Sequence, residues 1–174
     1  MPGYQNLQNF PGNVQSAGTS SAITTITVVS PSPTNTIPAG TLVAGSTYRV
    51  TAFGRYTSSA TAGTATFTLN VGTNSWASAA TSYTASLTNA QWRVEFEFTI
   101  RTVGSTGTAW GAGKGFIGTA VATLGSAFAI PGAANAAVTV DTTANANVTL
   151  SITSSASQTY VCDVFMVENL STVA

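Results

Sequence analysis

Residues 92–101 alternate strictly between large apolar and polar side chains, and that alternation constrains the fold more than any other stretch. Trp92, Val94, Phe96, Phe98 and Ile100 share one phase, while Arg93, Glu95, Glu97, Thr99 and Arg101 share the other. A period of two belongs to a β-strand, whose successive side chains point to opposite faces. One face of this strand has to line a core. The other carries four of the ten charged residues in the chain, so it marks a charged outer surface.

Similar signals recur about every dozen residues, separated by Gly and Pro. The β-branched run 23–29 reads as a first strand, stopped by Pro31 and Pro33. Turns at 37–46 lead into a strand over 48–56, where Tyr48, Val50, Ala52 and Gly54 alternate with Arg49, Thr51, Phe53 and Arg55. Another strand spans 64–71, with Phe67, Leu69 and Val71 in phase, and residues 76–83 show no clean period. The strand at 92–103 ends in a hairpin-like turn at Gly104-Ser105-Thr106-Gly107 before a glycine-rich strand at 108–116. Residues 116–128 read as a further strand broken by Gly118 and Gly125, and 138–152 hold a strand with Val148, Leu150 and Ile152 in phase.

The last strand, 160–168, is apolar in both phases. Tyr160, Cys162, Val164 and Met166 lie on one side, and Val161, Phe165 and Val167 on the other. A strand apolar on both faces is covered on both faces, and a contact between subunits would supply the second cover. No stretch holds helical spacing over ten residues. The expectation is an all-β chain of eight to ten strands, a jelly-roll-like antiparallel β-sandwich, with a barrel as the structural alternative. Residues 21–174 form its single domain, which at this length buries a core unaided. Residues 1–20, with Gly3, Pro11 and Gly12 among amides, read as an extended N-terminal arm instead of an element. Either it frays, or Tyr4, Leu7, Phe10 and Val14 order on a partner.

Ten charges that sum to zero narrow the function classes. Arg49, Arg55, Arg93, Arg101 and Lys114 are too few and too scattered for the basic patch that nucleic acid requires. Nowhere do apolar residues run the roughly 18 consecutive positions of a membrane helix, so no membrane partner is expected. Cys162 is the only cysteine, which rules out an intrachain disulfide. The N-terminus has neither the basic residues nor the apolar stretch of a signal peptide, so synthesis in a cytoplasm is expected, and the acceptor pattern Asn147-Val148-Thr149 is read as chance.

Histidine is absent, and with it the commonest general base and the commonest metal ligand. One cysteine and five dispersed acids give no metal-ligand spacing, and no cofactor is expected. The carboxylates that invite a catalytic reading are Glu95 and Glu97, two apart on one strand face and so about 7 Å apart at Cα, a separation glycosidases use. Arg93 and Arg101 flank them, however, and Arg49 or Arg55 from a neighbouring strand is placed to neutralise them. They read as a structural ion-pair ladder, with no enzyme activity. Of the three tryptophans Trp92 is in core phase, and Trp110, beside Gly111, Gly113 and Gly115, is the surface candidate for packing, subunit contact or a sugar ring. The run from Gly111 to Gly118 lacks the Gly-Lys-Ser/Thr ending of a phosphate loop.

The phrase Ile37-Pro38-Ala39-Gly40-Thr41-Leu42-Val43-Ala44-Gly45-Ser46-Thr47-Tyr48-Arg49-Val50, then Trp92-Arg93-Val94-Glu95, then Val140-Asp141-Thr142-Thr143 through Met166-Val167-Glu168, resembles small β-sandwich virion proteins of tailed bacteriophages. Those are mostly trimeric head decoration (cement) proteins and related fibre domains. The resemblance spans about residues 23–170 and implies a homotrimer, made in the host cytoplasm, that binds the major capsid protein on the outer capsid surface of the virion and stabilises the shell. On that expectation Tyr4, Leu7, Phe10 and Val14 form a capsid-contact arm. Arg93, Glu95, Glu97, Arg101, Val161, Phe165 and Val167 form the subunit interface. The alternative is a receptor-binding or carbohydrate-binding β-sandwich domain of a tail fibre.

Overall fold

The structure is a computed structural model that describes residues 6–9, 13–16, 24–28, 36–121, 123 and 125–171, with side chains from residue 36 onward. In chain order the strands are β1 (Asn6–Asn9), β2 (Asn13–Ser16), β3 (Thr24–Val28), β4 (Thr36–Ile37), β5 (Thr47–Ser58), β6 (Gly63–Val71) and β7 (Asn74–Ala77). They continue as β8 (Thr81–Tyr83), β9 (Ala90–Thr102), β10 (Thr108–Ile117), β11 (Ser126–Ile130), β12 (Val138–Thr139), β13 (Ala146–Ser154) and β14 (Gln158–Asn169). One sheet runs β1-β14-β5-β9-β10-β11, with β2 also on β14 and β12 also on β10. The smaller runs β3-β13-β6-β7, with β4 also on β13 and β8 on β6. The pairings are antiparallel, and the two sheets pack as a β-sandwich.

The apolar phase of β9 lies at the centre of the core. Trp92, Val94, Phe96, Phe98 and Ile100 are all buried, and their rings reach across to the small sheet. Phe67 on β6 packs on Trp92 at 6.1 Å between ring centroids and stacks on Phe128 of β11 at 4.6 Å, and Trp76 on β7 meets Phe96 at 5.1 Å. Such pairs contribute about 0.5–1.5 kcal/mol each beyond the area they bury. The stretch 76–83 lacks a clean period because it holds two short strands joined by a connection at 78–80. Ser78 occupies that connection, its hydroxyl accepting the Phe67 N–H at 3.0 Å.

β10 is glycine-rich for a packing reason. Gly111, Gly113 and Gly115 take inward positions against Phe96 and Phe128, where a methyl group would collide with the rings or with the β9 backbone. The large rings of β9 and β11 fill the space those glycines leave.

Four sequence expectations are corrected. The strand expected over 116–128 is two strands, β10 and β11, joined across a turn; Gly125 passes too close to the Ile117 carbonyl for any side chain, and Leu124 lies outside the described residues. The strands number fourteen among the described residues because several are two to five residues long. Within the segment read as an arm, residues 6–9 and 13–16 pair with β14, using a strand edge that β5 leaves free on the other side.

The fourth correction concerns β14. Its register against β5 slips between Cys162 and Val164, so Asp163 is an extra residue and the strand changes phase there. Tyr160 and Cys162 before the bulge, and Phe165 and Val167 after it, all face the core. Both phases of the sequence are apolar because each serves as the inner phase for half of the strand. Gly54 makes the bulge possible, since a Cβ there would run into the Val161 carbonyl. The Trp92 indole N–H donates to the carbonyls of Arg55 and Val161, each at 3.2 Å. The backbone disturbed by the bulge is thereby satisfied.

Candidate functional site

Nine of the ten charged residues sit on strands of the large sheet, and Asp141 lies in the connection after β12. The outer positions of β6 and β13 in the small sheet carry Thr66, Thr68 and Asn70 beside Thr149 and Ser151, with no charge. The chemically varied surface is therefore the outer face of the large sheet. Its register lays side chains out in rows. Glu168, Arg49, Glu97 and Ala112 form one row across β14, β5, β9 and β10. Met166, Thr51, Glu95 and Lys114 form the next, and Val164, Phe53, Arg93 and Phe116 the one beyond.

The expected ion-pair ladder is present, and its partners are now specific. Arg49 donates from Nε to Glu97 Oε1 at 2.8 Å, with a second guanidinium nitrogen 2.7 Å from the same oxygen. Arg93 pairs with Glu95 on its own strand. Arg55 holds Asp163, the extra residue of the bulge, through two bonds of 2.9 and 2.8 Å. The hydrogen bond from Glu97, then its charge, holds the Arg49 guanidinium above the usual arginine range, and Asp163 does the same for Arg55. Lys114 stands directly across from Glu95 in register, and Glu168 across from Arg49. Exposed pairs of this kind are screened by water and add little to stability. Their effect is to fix side chains in place on the face. Glu95 and Glu97 each face a guanidinium of this chain.

The other expected site residues are dispersed. Arg101 is exposed near the end of β9, with no ion-pair partner among the described residues. Val161 is half-buried on β14, whereas Phe165 and Val167 are fully buried in the core and offer no surface to a second subunit. Leu7 falls in β1 and Val14 in β2, while Tyr4 and Phe10 lie outside the described residues. Among the described residues no three side chains of the metal-ligating kinds gather into a cluster.

Two features of this face escaped the sequence reading. The Arg55–Asp163 pair follows from the bulge, for which Gly54 in mid-strand was the available signal. The trough over Ala112 and Gly113, about 670 Å³ and bordered by Arg49, Glu97, Glu95 and Lys114, exists because β10 places its smallest residues between charged neighbours. Trp110, two residues from Ala112 along β10 and on the same face, is 42% exposed. Trp76 and Trp92 are buried. Comparison of the chain with protein-family models, with curated proteins and with solved structures finds no match in any of the three.

Proposed function

We propose that this chain is a virion structural protein, a capsid decoration protein that sits on the outer capsid surface as a homotrimer and stabilises the shell. It bridges neighbouring copies of the major capsid protein by buried area and performs no chemistry. The observation that carries this reading is the use made of the outer charges. The two carboxylates spaced for acid and base work are each tied to an arginine, so the face is a sheet surface braced by ion pairs. The resemblance to decoration proteins supports it, and two of its phrases meet in space: residues 37–50 run into β5, and 92–95 lie on its neighbour β9.

With Phe165 and Val167 in the core and the ladder paired within the chain, the contact between copies on this reading moves to the loop end of the sandwich. There Val43 and Val103, 40% and 57% exposed, border one shallow depression with Leu42. Apolar side chains left in water at one end of a sandwich are what a symmetric contact buries. Residues 1–20 reach the shell from the β14 edge, along which β1 and β2 run.

Deleting residues 2–20 tests the reading by co-sedimentation with the virus's own shells. The shortened chain is expected to lose shell binding while keeping a cooperative unfolding transition, and binding at the full-length level would reject the arm's role. The second reading, a tail-fibre receptor-binding domain, is favoured by the exposed Trp110. Copy number in purified particles separates the two, since a decoration protein is far more abundant than a fibre tip.

A further inference from the structure

We propose that the outer face of the large sheet binds an uncharged oligosaccharide, with Trp110 as the stacking platform and the trough beside it supplying the hydrogen bonds. The inward phase of β10 takes Ala109, Gly111, Gly115 and Ile117 to the core and leaves the indole of Trp110 on the outer phase. Its in-register neighbour on β9 is Thr99, whose hydroxyl is bonded to that of Thr47 at 2.8 Å, so the row holds no second large side chain to pack over the ring. Trp110 shares the outer face with the trough and stands two residues along β10 from Ala112, which lines it; an exposed aromatic ring can take the apolar face of a pyranose while the sugar's hydroxyls reach the charged groups nearby.

The charges of the trough set the class of ligand. Arg49, Arg93 and Lys114 are matched there by Glu95, Glu97 and Glu168, so the lining sums to zero. Four of these six are already held in pairs, Arg49 with Glu97 and Arg93 with Glu95. A nucleotide or an acidic peptide would find no net field to draw it in. Sugar hydroxyls each donate and accept, and neighbouring hydroxyls match the two edges of a guanidinium or a carboxylate. Because the pairs hold the side chains in place beforehand, the ordering cost of binding is reduced.

The dimensions agree with a short oligosaccharide. Trp110 and Lys114 are four residues apart on one strand, roughly 13 Å, and the row from Glu168 to Ala112 crosses four strands, roughly 14 Å. The inference does not rest on the capsid reading. It requires only that this face stay open wherever the protein is mounted.

The full chain provides its own readout, because Trp110 is exposed while Trp76 and Trp92 are 2% and 0% exposed, so acrylamide quenching of tryptophan emission reports on Trp110. Neutral oligosaccharides of glucose, galactose, mannose and N-acetylglucosamine are screened on an array, and those retained are titrated in solution. The expected result is protection of Trp110 from acrylamide with a Kd of about 1 mM or tighter. Trp110→Ala is then expected to weaken binding at least about tenfold without moving the urea unfolding midpoint, and Lys114→Ala to weaken it by a smaller factor. Three results overturn the proposal: no neutral oligosaccharide protects Trp110 at about 10 mM, Trp110→Ala binds as the parent does, or Trp110 is already shielded without sugar in the assembled oligomer, which makes it a subunit contact.

Discussion

Gly111 and Gly113 look equivalent in the sequence, yet their replacement by alanine should fail in different ways. Neither has a left-handed φ, so both substitutions are purely steric. At Gly111 the added carbon meets the far edge of the Phe96 ring, with Cε1 at 2.6 Å and Cζ closer, while the Glu97 carbonyl oxygen at 3.1 Å has only to yield slightly. Carbon atoms rest at about 3.5–4.0 Å, so the ring has to shift by about 1 Å in a core where Trp76 already packs against it. Overpacking of that size costs about 1–3 kcal/mol, offset by about 0.4–1 kcal/mol from the stiffer unfolded chain. A net loss of about 1–2 kcal/mol is expected for Gly111→Ala.

Phe96→Leu removes the ring edge that collides. Alone it should cost less than the ~3–5 kcal/mol of a Phe→Ala change. In its background Gly111→Ala should cost no more than about 0.5 kcal/mol, which is a coupling of about 1 kcal/mol or more. At Gly113 the carbon meets the Phe96 ring at Cδ2, 2.6 Å away, and also two backbone atoms, the Phe96 Cα at 2.8 Å and the Glu95 carbonyl oxygen. Trimming the ring leaves the two backbone contacts unrelieved, so Phe96→Leu should rescue Gly113→Ala less than it rescues Gly111→Ala. Urea unfolding followed by tryptophan emission measures all five variants, with midpoint shifts of about 0.3–1 M for each kcal/mol at ordinary slopes. Equal rescue at both glycines, or a neutral Gly111→Ala, would refute the packing described for β10.

Three more outcomes follow from the bulge, the ladder and the buried hydroxyls. Asp163→Ala should barely move the urea midpoint, because the pair it breaks is exposed, and deleting Asp163 should leave Phe165 and Val167 in the core, since Cys162 and Phe165 then stand two residues apart in one phase; a loss of about 3–6 kcal/mol on deletion, the cost of turning Phe165 and Val167 outward, would contradict the bulge. Glu95→Gln with Glu97→Gln should lower stability by less than about 2 kcal/mol and leave shell binding intact, and abolished binding would give those carboxylates a direct role. Burial, and then the neighbouring Tyr83, push the Tyr56 hydroxyl from 10.0 up to about 12, and burial pushes Tyr160 higher still. Folded-state values above the unfolded ones mean that their contribution is complete below pH 10.0 and is lost as pH rises through about 12. Tyrosinate absorbance from these two should therefore appear together with alkaline unfolding, and their ionisation in the folded chain near pH 10.0 would count against it.

The strands legible in the sequence are those whose two phases differ in chemistry. In β9 and β6 every inward position is apolar and every outward one polar or charged, so phase and face follow together. β14 defeated the same reading because a period of two carries no marker for one extra residue, and a phase switch looks like two apolar faces. Gly54 on β5 was the physical clue, since its missing side chain is what lets the bulge approach. On the outer face, neutralisation of Glu95 and Glu97 was legible from the arginines nearby. That Glu97 takes Arg49 was not, because it depends on the β5–β9 register, which brings together residues 48 positions apart. The exposure of Trp110 was foreseeable from its phase in β10, opposite Ala109 and Gly111. The trough next to it was not, since it arises from four strands brought side by side.

The central claim is that this sandwich works as a symmetric virion component, and its native mass tests that most directly. Light scattering after size exclusion of the full chain should return three times the 17.6 kDa chain, with Val43→Asp and Val103→Asp together reducing it to one. A monomer at every concentration tried would contradict the account.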